Sequence, residues 1–452
     1  MNIIIVSLCA YLAVVFGIAW LNGRKQSLDS YYLNEKSTGL FLLTISIVAT
    51  AVGGGAIVGT ISSFYKTGTL MYGMLLLATN ALGFLSVALV ARKIKAFGVR
   101  HNLRSIVDFF GVRFGAKNKK LMLVLQMVFL LPLNALQMLA ASALLAVLLG
   151  IPLLPALALV SLSTLIYSSV GGMKTNVWTD FFQFFVIISI FIAMAAIAWT
   201  TIPSFAGLVQ SAPVNAFNPF AANGTAWFLV MASAGGFAQL AAPYVWQQIL
   251  SARDEKTAVR SVLFAVPIVA AILGLVAFLG LYAVVNMPMS GYYDTAFFSL
   301  IETLLPKALA GIGFAALFAA VMSTSDSILL AGSTIIFGEL VKKNKKRNRI
   351  FYARLTSIGF GAASIAIAAL FPSVVSLGLY TIAVLFISSP AVLAAFYSKK
   401  ISNDAVFWSR LVPLAVLFIA YYHIGAQAIM ITAPLGLIML FLYDPVAKLV
   451  RR

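Results

Sequence analysis

The amino-acid sequence predicts an all-α polytopic membrane protein that folds as a single transmembrane domain over residues 1–452. Of the 452 residues, 62% are hydrophobic and 10% are charged, whereas soluble domains average about a quarter charged residues. The mean hydropathy of +1.02 is too high for a soluble core of this size. The lipid bilayer must therefore be the solvent for most of the chain.

Thirteen apolar stretches are long enough to span a bilayer, which requires about 20 helical residues. Pro152, Pro372 and the pair Gly171–Gly172 mark the shortest turns between them. The first stretch lacks a preceding basic segment and is interpreted as a retained helix rather than a signal peptide. The thirteen stretches cover residues 3–21, 40–65, 69–91, 121–149, 152–170, 177–199, 226–248, 261–286, 309–340, 351–371, 373–397, 407–424 and 426–443.

The distribution of positive charge predicts the orientation of these helices. With the N-terminus outside, only Lys66 and Lys307 of the 31 Lys and Arg residues fall on the outer side, as the positive-inside rule requires. The C-terminus and the basic clusters, such as residues 342–349, are then cytoplasmic. These clusters indicate contact with anionic lipid rather than with nucleic acid, and residues 104–115 are predicted to form an amphipathic helix at that surface.

Three consecutive glycines, Gly53–Gly55, lie in the middle of the predicted helix 40–65, where each costs roughly 1 kcal/mol relative to alanine. A second glycine-rich segment, Ser233–Pro243, lies in the middle of the predicted helix 226–248. Many transporters break one helix in each of two inverted repeats, and the freed backbone groups bind substrate and ion. Close helix packing is the simpler alternative, but the matching pair favours two breaks.

The two predicted breaks divide the chain into repeats. Five helices begin at each break, which gives a first repeat over 40–199 and a second over 226–397. Because five is odd, the second repeat would be inverted relative to the first. One extra helix, 3–21, precedes this core, and two more follow it within 407–443.

Acidic residues inside spans are costly and usually functional. Asp180 begins one predicted helix, and Asp326 lies among hydroxyls in the predicted helix 309–340. Ser323, Asp326 and Ser327 are spaced i, i+3 and i+4, so they share one helical face. Oxygen ligands are those that hard cations prefer, and this face therefore predicts a cation site. In the alternative interpretation the hydroxyls only bond to their own helix.

The sequence resembles the sodium/solute symporter family, which includes the proline, pantothenate, sugar and choline sodium symporters, over nearly the whole chain. SLDSYYLNEKSTG resembles the family's loop before the core, GGMKTNVWTDFFQ its glycine–aspartate signature, and AAVMST followed by DS its ion-site helix. The resemblance implies sodium as the coupling ion. It also implies a LeuT-like five-plus-five core with broken first and sixth core helices, and a location in the plasma membrane, which is the inner membrane in a bacterium.

The resemblance further implies two ion sites. The principal sodium site would use the backbone carbonyls of Ala49, Val52 and Ala320 and the hydroxyls of Ser323 and Thr324. A second site, for sodium or for a proton, would use Asp180, Ser323, Asp326 and Ser327.

The solute is predicted from the cavity. In the choline branch an aromatic residue stands at the position of Ala51, so one wall of a cation–π cage is missing here. Ala56 and Leu75 replace the polar groups expected for a sugar. Bare amides at a half-helix N-terminus suit a carboxylate, which predicts a small carboxylate-bearing or zwitterionic metabolite. The predicted solute-binding residues are Thr50, Gly53, Gly54, Gly55, Asn134, Gln137, Ser233 and Gln239.

The leading interpretation is a sodium-coupled symporter, not an enzyme, that imports a small organic solute by alternating access. A proton-coupled relative and a transporter-like sensor are the alternatives, although a sensor would be expected to carry an appended signalling domain. An intramembrane aspartyl protease using Asp180 and Asp326 is a remote alternative, since its GxGD motif does not occur. A monomer is sufficient for the predicted sites, and the oligomeric state is left open.

Overall fold

The structure is a bundle of helices. The computed structural model describes residues 2–24, 26–287, 295–340, 348–370, 381–398 and 401–450. Within these ranges eight helices are long and apolar enough to cross a membrane, or ten spans if each of two bent helix pairs counts as one. Shorter apolar helices occupy Thr381–Tyr397 and Ile429–Pro445. The all-helical membrane fold is confirmed, while the total of thirteen spans and their orientation stay predictions.

The principal helices are numbered along the chain. They are α1 (Asn2–Gly23), α2 (Leu28–Leu33), α3 (Leu40–Ala51), α4 (Gly54–Thr67), α5 (Met71–Arg100), α6 (Ile106–Leu149), α7 (Leu153–Thr201), α8 (Phe205–Gln210), α9 (Gly224–Ala238), α10 (Pro243–Ser251), α11 (Glu255–Asn286), α12 (Ala296–Leu304), α13 (Lys307–Leu340), α14 (Arg349–Leu370), α15 (Ser389–Tyr397), α16 (Asn403–Ile424) and α17 (Ile429–Val450).

Helix α13 lies at the centre of the bundle. The most apolar window of α13 is 100% buried inside the protein, compared with 22% for α1. It packs against α1, α6, α7 and α14. A helix enclosed by protein can carry polar side chains that would be costly in contact with lipid. The hydroxyl-rich segment Ser323–Ser327 therefore occupies a position that suits its composition.

The first predicted break is confirmed. Helices α3 and α4 are bent by 41° relative to each other. Val52 leaves helical geometry at φ −100° and ψ 61°, and Gly53 is extended at φ −78° and ψ 173°. Gly54 then begins the second half of the span.

The second predicted break is also present, but it lies after the glycine pair. Helices α9 and α10 are bent by 49°, and the chain turns between Gln239 and Ala242. Pro243 begins α10, where its missing N–H removes no helical hydrogen bond. Gly235 and Gly236 remain helical within α9. A Cβ atom on either would lie within 3.0 Å of a side chain of α5, at 2.9 Å and 2.6 Å respectively, so this pair allows close packing instead.

Glycines interrupt the two longest helices. The predicted spans 152–170 and 177–199 lie on the single helical stretch α7, which is non-helical at Gly172 (φ 64°, ψ −165°). A straight helix of its 49 residues would be about 74 Å long, more than twice the hydrocarbon thickness of about 30 Å. Gly115 likewise interrupts α6 (φ 83°, ψ 177°), at the end of the predicted amphipathic segment 104–115. The start of α6 carries a capping box of Ser105 and Asp108.

Some sequence predictions fall outside the described residues. These are the turn at Phe371–Pro372 and most of the basic cluster 342–349. The division into inverted repeats over 40–199 and 226–397 stays a prediction, and so does the status of 3–21 and 407–443 as additions to that core.

Gly172 is predicted to tolerate no side chain. Its backbone region is essentially restricted to glycine, and other residues there cost about 1–3 kcal/mol. A Cβ atom would also lie 2.5 Å from the carbonyl oxygen of Tyr31. Gly172→Ala should therefore lower the unfolding temperature of the detergent-purified protein. Gly17→Ala is the control, because Gly17 is helical and has no atom within 4 Å of an added Cβ; equal stability of the two variants would contradict the prediction.

Candidate ion and solute site

Two hydroxyls of α13 reach across to backbone carbonyls at the end of α3. Ser323 Oγ donates to the carbonyl oxygen of Ala49 at 3.0 Å, and Thr324 Oγ1 donates to that of Thr50 at 3.1 Å. Each hydroxyl also lies 3.2 Å from the carbonyl oxygen of Ala320. Four of the five residues named for the principal sodium site therefore lie together, and the carbonyl of Thr50 joins them.

These carbonyls are available because α3 ends here. In a continuous helix the carbonyls of Ala49 and Thr50 would accept hydrogen bonds from the amides of residues 53 and 54, which lie beyond the break. Val52 is the fifth residue named for the principal sodium site. In a continuous helix its carbonyl would accept a hydrogen bond from the amide of residue 56, but that amide donates to the carbonyl of Gly53 at 3.0 Å. The break thus leaves several carbonyls without a helical donor.

The oxygen atoms gathered at this break are suitable ligands for a hard monovalent cation. They are backbone carbonyl and hydroxyl oxygens, which carry no formal charge, and neither sulfur nor imidazole is among the ligands. Both hydroxyls keep lone pairs available when their hydrogens turn away. Ser323 and Ala320 are fully buried, and Thr324 is 8% exposed. A cation at this position would therefore be shielded from bulk water and from lipid.

Gly53 and Gly54 allow this close approach between the first broken helix and α13. A Cβ atom on Gly53 would lie 2.6 Å from Thr324 Oγ1, and one on Gly54 would lie 2.3 Å from Val321 Cγ2. Both distances are well below normal van der Waals contact. Two of the three glycines are therefore required for packing against the hydroxyl-bearing helix as well as for the break itself.

A second polar group surrounds Asp180, which is fully buried. Asp180 Oδ2 accepts a hydrogen bond from Ser46 Oγ at 2.5 Å, whereas Oδ1 has no hydrogen-bond partner. Thr50, one turn after Ser46, donates to the Ser46 carbonyl at 2.8 Å and bonds to Ser327 Oγ at 3.0 Å. Asp180 and Ser327 are thus connected through Ser46 and Thr50 of α3.

Asp326 faces different partners. Tyr167 OH donates to one carboxylate oxygen at 2.6 Å, and Ser168 Oγ donates to the other. Both donors lie on α7 shortly before Gly172. In the part of the chain that the structure describes, no Lys or Arg forms an ion pair with Asp180 or Asp326. Both oxygens of Asp326 are therefore engaged by hydroxyls, while one oxygen of Asp180 is not.

Gln248 is a member of this network that the sequence analysis missed. It lies on α10 and is 3% exposed. Its Nε2 donates to Thr50 Oγ1 at 3.0 Å and to Ser46 Oγ at 3.3 Å. Two consecutive glutamines in an otherwise apolar span, Gln247 and Gln248, were the available signal, because buried amides need polar partners.

Some of the predicted solute-binding residues lie around the first break. Gln137 Oε1 and Asn134 Nδ2 have no hydrogen-bond partner, and Gln137 Oε1 lies 3.4 Å from the position of a Cβ atom on Gly53. A Cβ atom on Gly55 would meet only a leucine methyl at 3.9 Å. This side of the break therefore offers space together with an unpaired donor and an unpaired acceptor.

The two predicted residues on the second broken helix do not join this group. Ser233 is exposed on the surface of α9. Gln239 Nε2 donates to Asn80 Oδ1 at 3.3 Å, and a Cβ atom on Gly83 would lie 2.6 Å from Gln239 Cδ. The side chain of Gln239 is therefore packed against α5.

Two spans broken in their middle, with buried polar groups gathered at the first break, are the arrangement found in secondary transporters. The chain matches the model of the sodium:solute symporter family over residues 31–413. The chain therefore belongs to the sodium:solute symporter family. It is an integral membrane transporter, which confirms the interpretation that it is not an enzyme.

Individual relatives agree with this assignment. The chain is 28% identical to the sodium/pantothenate symporter of Haemophilus influenzae over 378 residues, which cover 78% of this chain and 77% of that protein. It is 25% identical to the sodium/glucose cotransporter of Vibrio parahaemolyticus over 378 residues, which cover 74% and 67% of the two chains.

Solved structures show the same fold. A substrate-bound, outward-open Na⁺-coupled sialic acid symporter superimposes with a TM-score of 0.83 at 18% identity, over 98% of this chain and 97% of the other. A nucleobase-cation-symport-1 family transporter in a closed conformation gives a TM-score of 0.62 at 12% identity, over 92% and 94%. These similarities support the LeuT-like class of fold.

Proposed function

We propose that the protein is a sodium-coupled symporter that imports a small organic solute by alternating access. The contact of Ser323 and Thr324 with the carbonyls of Ala49 and Thr50 carries this proposal. A cation ligated from both sides of that contact binds only when α3 and α13 are together. It therefore stabilises one arrangement of the bundle over others, and a solute that prefers the same arrangement is coupled to it.

The principal sodium site comprises the carbonyls of Ala49, Val52 and Ala320 and the hydroxyls of Ser323 and Thr324. In this proposal the two hydroxyls exchange their hydrogen bonds to the carbonyls for contact with the ion. Their hydrogens then turn away, and the same oxygen atoms act as ligands. The contacts seen between α3 and α13 support the proposal because they already hold these oxygens together.

Sodium should stabilise the detergent-purified protein against heat more than potassium does. At about 100-fold above its dissociation constant, a bound ion adds roughly 2.7 kcal/mol to the free energy of unfolding. Ser323→Ala should abolish the sodium-specific shift, because it removes one ligand, whereas Ser163→Ala, which alters an exposed hydroxyl bonded within its own helix, should keep it. Equal unfolding temperatures of the wild type in sodium and potassium would contradict the proposal.

The second site, formed by Asp180, Ser323, Asp326 and Ser327, takes a second sodium ion or a proton. Asp180 is the residue that receives it in this proposal, because its Oδ1 is buried and has no partner. Buried carboxylates are normally paired, protonated or bound to a cation. Both oxygens of Asp326 already accept hydrogen bonds from hydroxyls of α7, so in this proposal Asp326 shapes the site and does not receive the cation.

Asp180→Asn should remove the dependence of uptake on the second cation. For a second sodium ion, the Hill coefficient for sodium would fall towards one; for a proton, the pH dependence of uptake would flatten while the sodium dependence remained. Asp326→Asn is the comparison, since its amide leaves Tyr167 or Ser168 unsatisfied at a cost of about 1–3 kcal/mol. It should lower the unfolding temperature and leave the Hill coefficient unchanged. The reverse pattern would exclude this division between the two carboxylates.

The solute is a small carboxylate-bearing or zwitterionic metabolite. The first amides of α4 have no intrahelical acceptors, and the positive end of a half-helix favours an anionic group. Gln137 Oε1 and Asn134 Nδ2 add an acceptor and a donor that lack partners. In this proposal the backbone amides of Gly53–Gly55 are the groups that bind the carboxylate.

Gly55 is the position at which the space for the solute can be tested. Gly55→Val should lower uptake strongly while keeping the sodium-induced thermal shift, because an added Cβ meets only a leucine methyl at 3.9 Å and the larger side chain would fill the space proposed for the solute. Gly54→Val is the control for packing, since its side chain would collide with Val321, and it should lower thermal stability itself. If the Gly55→Val variant took up solute as fast as the wild-type protein, binding of the solute at these amides would be ruled out.

A further inference from the structure

The half-helix α10 is attached to the rest of the protein by several contacts that do not involve the ion site. Gln247 Nε2 donates to Thr334 Oγ1 and to the carbonyl oxygen of Tyr32, both at 2.8 Å. Lys95 Nζ donates to the carbonyl oxygen of Leu250 at 2.8 Å. Leu250 lies in the last turn of α10, and a positive charge is favourable at a helix C-terminus. These contacts connect α10 to α13, α5 and the segment before α3.

A short backbone pairing adds to this attachment at the end of α10. Thr38 and Ala252 form a parallel β-bridge. The amide of Thr38 donates to the carbonyl of Ser251 at 3.1 Å, and the amide of Arg253 donates to the carbonyl of Thr38 at 2.9 Å. The charge distribution predicts that this end of the bundle is cytoplasmic, and α10 and the segment before α3 are paired there.

Gln248 makes a contact of another kind. Its neighbour Gln247 bonds to Tyr32 and Thr334, outside the candidate ion sites. Gln248 Nε2 instead bonds to Thr50 Oγ1 and Ser46 Oγ on α3. The backbone carbonyl of Thr50 accepts from Thr324 at the principal ion site. Ser46 donates to Asp180 at the second site. One side-chain amide therefore connects α10 to both candidate cation sites through two residues.

We propose that Gln248 is the positioning residue that transmits cation occupancy from the last turn of α3 to α10. This inference rests on the proposed sodium-coupled function. A cation ligated by the Ala49 carbonyl and by α13 fixes the last turn of α3, which keeps the acceptors of Gln248 in place. Without the cation only the hydroxyls of Ser323 and Thr324 hold that turn, so it separates from α13 more often. On separation Gln248 loses its acceptors, and α10 is held only by the contacts at Gln247, Lys95 and Thr38.

Hydrogen exchange measured by mass spectrometry tests this coupling, because exchange reports local opening. Purified wild-type protein is compared in sodium and in potassium at equal ionic strength, with attention to peptides covering 243–251. We expect sodium to slow their exchange by roughly five-fold or more, the lower end of ordinary coupling between sites. Thermal unfolding of the same samples reports independently whether sodium binds.

Two matched variants separate transmission from simple attachment. Gln247 and Gln248 are adjacent, and both are 3% exposed. Gln248→Met removes the donor and should abolish the effect of sodium on 243–251 while keeping the sodium-induced thermal shift. Gln247→Met should speed exchange in both salts and preserve the ratio between them. Gln248→Leu, which also lacks a donor and carries no charge, should behave like Gln248→Met and replaces that variant if it does not fold.

The outcomes distinguish this inference from the proposed function. A sodium-induced thermal shift in the wild type without slower exchange of 243–251 would overturn the role of Gln248 alone. The same would follow if Gln248→Met kept the full sodium effect, or if Gln247→Met lost it equally. A wild type that does not respond to sodium in either measurement would overturn the proposed function and this inference with it.

Discussion

The site depends on the requirement that backbone polar groups inside a membrane find hydrogen-bond partners within the protein. The break between α3 and α4 removes the helical donors of the carbonyls of Ala49 and Thr50. The hydroxyls of Ser323 and Thr324 replace them, and Gly53 and Gly54 make the close approach possible. The contact between α3 and α13 therefore supplies hydrogen-bond donors to the carbonyls at the end of α3, which the break leaves without helical partners.

This requirement also limits how the bundle can move. If α3 separates from α13, the freed carbonyls need another partner, since an unpaired buried polar group costs about 1–3 kcal/mol. Water or a cation can supply that partner. Separation of the two helices is therefore linked to the entry of water from one side, which is the physical basis of alternating access in the proposed mechanism. In that mechanism a bound cation would hold the two helices together until it leaves.

The sequence predicted the first break and its hydroxyl partners because three glycines and a hydroxyl-rich helix are unusual inside spans. The second break lies within the predicted segment Ser233–Pro243, but Gly235 and Gly236 have a role in packing, and Pro243 marks the start of the new helix. Ser233 and Gln239 were assigned by analogy with the first break, and no pattern indicated that Gln239 would pack against α5. Gln248 was missed because its partners on α3 lie about 200 positions earlier in the chain.

The most direct test of the account is an experimental structure of the purified protein in sodium and again in potassium. The account predicts a density peak in sodium, absent in potassium, in contact with the carbonyl oxygens of Ala49 and Ala320 and the hydroxyls of Ser323 and Thr324. The two hydroxyls should then no longer donate to the carbonyls of α3. A structure in saturating sodium that kept both hydrogen bonds and showed no peak between α3 and α13 would contradict it.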